Sequence, residues 1–268
     1  MVAVMVTRGL GDSPILGDNI VHFARTKDVE TAARALKSAI ERVSNDGTPL
    51  LLTGVGYSMG GITLANYVAS SGSKCELDVA VSISGALDTR EQVKFLRSAS
   101  LWQPFITKAL RDALLRSFGK QIRNRLTGEQ LKESIKAANL VDFDRNFFVP
   151  YNNFDSLEDY YTRLGAMGDF NYTTSQGRIA NVSIPLLCVH SLDDPIGYWG
   201  TYHHPEKVVH TGEGNIVLLF TKTGGHVGWP LGLNPSLAAW RWMSDVASSF
   251  AESVDMARKE CAKMPSSR

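Results

Sequence analysis

The chain has 268 residues, long enough to bury a sizeable core in one large domain or in a core domain with an inserted cap. Hydrophobic residues at 44% and charged residues at 21% exclude disorder over most of the length. With 28 basic against 27 acidic side chains the net charge is +1, which argues against a nucleic-acid binder or an acidic tail protein.

Ahead of Arg8 the apolar run covers only the six residues 1–6 and has no basic leader, so no signal peptide is expected, and with Val at position 2 no N-myristoylation is expected either. In chain order, short β-branched or apolar runs then alternate with helical patterns, the signature of an α/β domain with a mostly parallel sheet. Residues 3–6 read as a short strand ending at Thr7-Arg8-Gly9. Residues 28–43 place Val29, Ala32, Ala33, Leu36, Ile40 and Val43 on one helix face. A strand is predicted over 49–55, a helix over 60–70 and a third strand over 77–84, where Val79, Ala80, Val81 and Ile83 make the near-continuous apolar run of a buried parallel strand. Residues 185–190 and 216–220 supply the next two strands, and 236–262 close the chain as a helix or helix pair. The apolar runs are strand-length, far short of the roughly 18–20 residues of a membrane span.

About a hundred residues between the strands at 77–84 and 185–190 show no strand pattern, too many for a simple βα connection. They predict a helical cap over 89–167, inserted between core segments 1–88 and 168–268. Residues 94–125 carry eight basic residues against the single acid Asp112, and Ile106, Leu110, Leu114, Phe118, Ile122 and Leu126 recur every fourth position. One reading is a cap helix packed on the core with a solvated basic face; the sharper one is a surface that meets anionic lipid, as a peripheral membrane contact, or guides acidic substrates. The apolar content of the insertion, with Trp102, Phe105 and Phe147, also predicts an acyl pocket over the site.

The chemistry is concentrated in Leu50-Leu51-Leu52-Thr53-Gly54-Val55-Gly56-Tyr57-Ser58-Met59-Gly60-Gly61, a strand running into G-x-S-x-G and then a helix. A serine at such a turn has its hydroxyl thrust above the sheet, small residues at Gly56 and Gly60 relieve crowding, and the N–H of Met59 at the helix start can stabilise an oxyanion. A serine hydroxyl needs a base and the base an orienting acid, each in a loop after a strand. Asp193 and Asp194 follow the strand at 185–190, and His226 follows the strand at 216–220. The order is serine, acid, histidine. Asp194, just before the turn residue Pro195, is favoured as the acid over Asp193. The other histidines read as structural: His22 in a polar loop, His190 at the end of a buried strand, and His203, His204 and His210 without the companions of a metal site. Ser82 and Ser84 read as strand packing. Cys75, Cys188 and Cys261, odd in number and without metal-like spacing, fit reduced thiols in a cytoplasmic protein, leaving the sequons at Asn171 and Asn181 idle.

These residues resemble the α/β-hydrolases, and within them the abhydrolase-domain esterases and lipases, a branch that includes medium-chain acyl-ester synthases and monoacylglycerol or phospholipid lipases. Four places carry the likeness: Gly56-Tyr57-Ser58-Met59-Gly60-Gly61, the segment from Phe143-Asp144 to Asp159-Tyr160-Tyr161, Leu192-Asp193-Asp194-Pro195, and Gly225-His226-Val227-Gly228-Trp229. The resemblance implies an α/β-hydrolase fold and hydrolysis or transfer of acyl groups on lipid-like carboxylic esters, with no cofactor and no metal. It also implies three earlier strands, a first helix and a loop giving a second oxyanion N–H, so the chain is expected to be N-terminally truncated, with residues 3–6 standing as the family's fourth strand. The loop around 168–177 is longer than the family's. The expected protein is a cytoplasmic, membrane-associated or free, serine ester hydrolase with a small lipid-like substrate and no nucleic acid; the competing expectation is a catalytically weak or silent binding protein on a truncated hydrolase fold.

Overall fold

Val- and Leu-rich runs pair as parallel strands because helical crossovers between them can cover both faces of the sheet. In the computed structural model, which describes residues 2–11, 13, 17, 19–43, 50–230 and 241–263, four strands pair in the order β1 (Thr53–Tyr57), β2 (Val79–Ile83), β3 (Leu186–Ser191) and β4 (Ile216–Thr221). The register aligns Val55 with Val81, Val81 with Leu187 and Leu187 with Val217. The inner strands β2 and β3 are buried throughout, while the outer strands leave Val55 and Val217 exposed.

Helices α1 (Lys27–Val43) and α2 (Met59–Ser71) flank β1, and seven helices lie between β2 and β3. These are α3 (Thr89–Gln92), α4 (Leu96–Leu101), α5 (Gln103–Arg125), α6 (Gly128–Lys136), α7 (Leu140–Asn146), α8 (Phe148–Asn152) and α9 (Leu157–Leu164). Helix α10 (Pro205–Val209) precedes β4, and α11 (Trp242–Lys263) follows it. Alternation along the strands sends Ala80, Leu186 and Cys188 to one face, against Leu64, Ala65 and Val68 of α2 and Ala33 of α1. Val81, Ile83, Leu187 and Val189 face the other way and meet Val246, Ala247 and Phe250 of α11. The fold is a parallel α/β sheet with helices on both faces, as expected.

Two of the expected strands need correction. Residues 3–6 form no strand: the segment has no ladder partner among the described residues, and Val2 and Val4 are 91% and 84% exposed. Their β propensity counts only where a neighbouring strand offers hydrogen bonds. The turn that follows is fixed instead by Arg8, whose guanidinium makes a two-pronged ion pair with Asp28 at the start of α1. At β1 the ladder starts at Thr53 rather than before it, because Asp78 takes over Leu52: the Asp78 carboxylate accepts from the Leu52 N–H at 2.7 Å and the Asp78 N–H donates to the Leu52 carbonyl at 2.9 Å. Pro49 and residues 236–240, predicted to begin a strand and the last helix, lie outside the described residues.

The four-residue stripe of α5 packs inward, with Leu114, Phe118, Ile122 and Leu126 buried beside Phe143, Phe147, Phe148, Tyr151 and Tyr160 and against Met59 and Ile62 of α2. Trp102 and Phe105 do not join them: they are 43% and 72% exposed, so they line no enclosed pocket. Phe147 is the member of that trio which is buried, stacked on Phe143 at 4.9 Å.

Candidate active site

The passage from β1 to α2 takes one residue, Ser58, held at φ 50 and ψ −120. A non-glycine residue at positive φ persists only where surroundings fix it. Here the Ser58 N–H donates to the Ile83 carbonyl of β2 at 2.8 Å and its carbonyl accepts from Ile62 at 3.1 Å. A Cβ on Gly56 would sit 2.4 Å from the Gly60 carbonyl oxygen, so this position admits only glycine. Gly60, expected to share that role, faces open space; the crowded partner is Gly61, whose added Cβ would meet Ser82 Oγ at 2.8 Å and the Gly56 carbonyl at 3.1 Å. Helix α2 therefore approaches the strand ends by backbone, and Ser58 stands at its N-terminal end, where the first-turn amides, that of Met59 among them, have no intrahelical acceptor.

The three residues singled out in sequence meet at the carboxyl end of the sheet. Ser58 Oγ lies 2.7 Å from His226 Nε2, and His226 Nδ1 lies 2.8 Å from Asp194 Oδ2. The Asp194 side chain is fully buried and the His226 side chain 15% exposed. The other carboxylate oxygen of Asp194 accepts the N–H groups of Ile196 at 2.8 Å and Gly197 at 2.7 Å. With both oxygens engaged, the anion needs no water. The two neighbouring acids have different partners: Asp194 meets the imidazole, whereas Asp193 accepts from Ser191 Oγ and takes the Gly225 N–H at 2.8 Å. The Ser191 hydroxyl, with the amides of the glycine loop, holds the Asp193 carboxyl below the usual carboxylate range. Asp193 thus ties the acid loop to the histidine loop.

Two further supports were not read from sequence. Ser84, just past β2 and at φ 54, donates its hydroxyl to the His226 carbonyl. Trp229 closes the loop from behind: its N–H reaches the Gly224 carbonyl at 2.8 Å, its indole N–H donates to Thr221 Oγ1 at 2.8 Å, and its ring stacks on Trp242 of α11 at 5.1 Å. The signal available for Ser84 was its place at the carboxyl end of a parallel strand, where sites of open α/β sheets gather.

The remaining histidines and cysteines lie apart from this arrangement. His190 is buried beneath the acid loop, with Nε2 at 2.5 Å from Tyr202 Oη and 3.3 Å from the Gly85 carbonyl, and burial pushes its pKa down to about 4. Burial pushes the Cys188 thiol up to about 12, which makes it inert. Among the described residues no group of three or more His, Cys, Asp or Glu is placed to hold a metal ion.

No protein-family model matches the chain. Human phospholipase ABHD3 is 26% identical over 251 residues, covering 94% of this chain and 56% of that protein. An abhydrolase domain-containing protein of Dictyostelium discoideum is 30% identical over 225 residues, covering 83% and 52%. The monoacylglycerol lipase of Saccharomyces cerevisiae is 26% identical over 180 residues, covering 65% and 37%. Among solved structures, an alpha/beta fold family hydrolase from Bacillus anthracis str. Sterne aligns with a TM-score of 0.45 at 14% identity, over 93% of this chain and 80% of that one. The chain spans about half the length of the first of these curated relatives. By sequence, then, the chain is related to abhydrolase-domain proteins and lipases, and its parallel sheet is of the kind that the resemblance implies.

Proposed function

We propose that the chain carries the catalytic machinery of a serine hydrolase that cleaves, or transfers the acyl group of, lipophilic carboxylic esters. The observation that supports this reading best is the unbroken hydrogen-bonded relay from Ser58 through His226 to buried Asp194. In the proposed cycle Ser58 Oγ attacks the ester carbon while its proton passes to His226 Nε2. Asp194 keeps the imidazole turned by accepting from Nδ1 and balances the charge on the imidazolium. The carbonyl oxygen becomes an oxyanion facing the N–H of Met59. Collapse expels the alcohol, which leaves with the proton from His226, and the acyl group stays on Ser58. Water, or an acceptor alcohol, gives a proton to His226 as its oxygen attacks the acyl carbon; the bond from the acyl carbon to Oγ then breaks, and His226 returns the proton to Ser58 Oγ. Every proton and electron pair is accounted for by these three side chains and the two substrates.

The lipid character of the substrate is argued by the relatives named as phospholipase and monoacylglycerol lipase. A fluorophosphonate probe tests the reading directly, since it phosphonylates only a serine whose hydroxyl is activated. Mass spectrometry should find the adduct on Ser58 and none after His226→Ala. An unlabelled wild-type chain that still folds would favour the silent binding protein and overturn the proposal.

A further inference from the structure

Helix α4 ends and α5 begins with three large apolar side chains turned to solvent: Leu101, Trp102 and Phe105 are 56%, 43% and 72% exposed. A second exposed aromatic group lies on the loop beside Asp194. Phe95, the residue before α4, stacks on Tyr198 at 4.7 Å, and Tyr198 is 38% and its neighbour Trp199 43% exposed. This loop is the one whose Ile196 and Gly197 amides hold Asp194, and Gln92 of α3 fastens it by accepting from the Tyr198 N–H at 3.0 Å. Leu101, Trp102 and Phe105 exposed within five residues, with Tyr198 and Trp199 exposed on the acid loop, are not the scattered apolar surface of an ordinary soluble face.

Charge completes the picture. Beyond Phe105, α5 exposes Lys108 and Arg116 before a kink at Phe118, and Lys120 and Arg123 after it. Arg116, Lys120 and Arg123, like Arg97 on α4, make no ion pair among the described residues, and Asp112 is already taken by Lys108 at 2.8 Å. An apolar anchor at one end of a helix and unpaired cations along the rest is the composition of a surface that lies in a membrane interface, with rings among the acyl chains and cations at anionic headgroups. A protein partner of matching shape would need an acidic rim, whereas a bilayer supplies both chemistries in one plane.

We propose that Leu101, Trp102 and Phe105, together with the cationic face of α5, dock this chain on an anionic lipid surface. The loop at Tyr198 and Trp199 joins that contact, which turns the Ser58 end of the sheet toward the lipid; this last clause rests on the ester-hydrolase reading, the docking itself does not. Trp102 and Phe105, expected from sequence to wall an acyl pocket, thus serve on the outer surface.

Sedimentation of the full chain with vesicles of phosphatidylcholine alone, and of phosphatidylcholine with phosphatidylserine, tests the docking without any activity measurement. Partition is expected on the anionic vesicles and to fall as salt is added. Arg116→Gln with Lys120→Gln should weaken it about thirtyfold, about fivefold per cation. Leu101→Ser with Phe105→Ser should weaken it about tenfold or more. Hydrolysis of a short soluble ester should stay at the wild-type rate in both variants, so an inactive wild type would count against the hydrolase reading and leave the docking result standing. Equal partition on both vesicle types, no partition on either, or a self-associating chain that Leu101→Ser with Phe105→Ser turns into a monomer, would overturn the proposal.

Discussion

At the carboxyl end of the sheet, position is set by backbone: Ser58 by the Ile83 carbonyl, Asp194 by two amides, His226 by the hydroxyl of Ser84 on its carbonyl, and α2 by the contact of Gly56, Gly61 and Gly85 across the strand ends. In the helical insertion, position is set by rings. Phe147 stacks on Phe143 at 4.9 Å and meets Phe148 edge-on at 5.2 Å, Phe148 lies 5.8 Å from Tyr160, and the one buried carboxyl, Asp144, accepts from Tyr161 at 2.9 Å. Directional hydrogen bonds fix atoms to tenths of an ångström, which proton transfer requires. Ring packing tolerates larger shifts and suits a layer that covers a substrate of variable shape. The difference sets a sheet end held to fixed atomic positions against an insertion held by ring packing.

The largest effect should come from the sheet ends. Ser58→Ala is expected to lower kcat by about a millionfold, with no loss of fold, since only a hydroxyl is removed. Turnover of a short p-nitrophenyl ester measures it; residual activity within tenfold of wild type would place the nucleophile elsewhere.

The adjacent acids provide a sharper contrast. Asp194→Asn should cost about 10⁴ in kcat, because the amide can force the wrong imidazole tautomer. Asp193→Asn keeps a side-chain oxygen for the Gly225 N–H and should cost about tenfold or less. A reversed order in the two kcat values would return the acid role to Asp193.

In the insertion the expected effect is on stability and its dependence on pH. Burial raises the pKa of Asp144 to about 7 from 3.8, against the opposing hydrogen bond from Tyr161. The folded state therefore keeps a proton that the unfolded state releases above about pH 4. The full contribution is present below that point and is lost as pH rises toward about 7, by up to about 4 kcal/mol at about 1.4 kcal/mol per unit. His190 under the acid loop runs the other way: its pKa falls from 6.5 to about 4, so its contribution is present above about pH 6.5 and lost as pH falls. Urea unfolding across this range should show Asp144→Asn removing the decline toward neutral pH and leaving the acid-side decline in place. An unchanged neutral-side decline in that variant would mean that Asp144 is ionised in the folded chain.

Much of the sheet-end half was legible in the sequence, since strand, tight turn and helix are local patterns and each site residue follows its own apolar run. The sequence could not show that Gly61 rather than Gly60 bears the crowding, because that depends on Ser82 of another strand. Nor could it show Ser84 reaching across 142 residues to the His226 carbonyl. In the insertion the stripe from Leu114 to Leu126 was readable as one helix face, yet Trp102 and Phe105 were assigned to the interior on apolar character alone. Residue type states that burial would be favourable; it does not state which partner is present. The same reason undid the strand at residues 3–6, whose valines had no neighbour to pair with among the described residues.

The smallest effect concerns Ser84, and it separates a hydroxyl from a backbone. At φ 54 a serine is strained, and its hydroxyl on the His226 carbonyl offsets that strain while fixing the imidazole over Ser58. Ser84→Ala removes the hydrogen bond and keeps the strain, so kcat should fall about five- to tenfold at constant KM, with stability lower by about 1 kcal/mol. Ser84→Gly also lacks the hydroxyl but is at ease at positive φ, so its stability should recover part of that loss. If Ser84 positions the histidine, the glycine variant keeps the lowered kcat and the slowed fluorophosphonate labelling despite its recovered stability. If the position matters only for the turn, glycine restores both, and the link from Ser84 to His226 has no bearing on the chemistry.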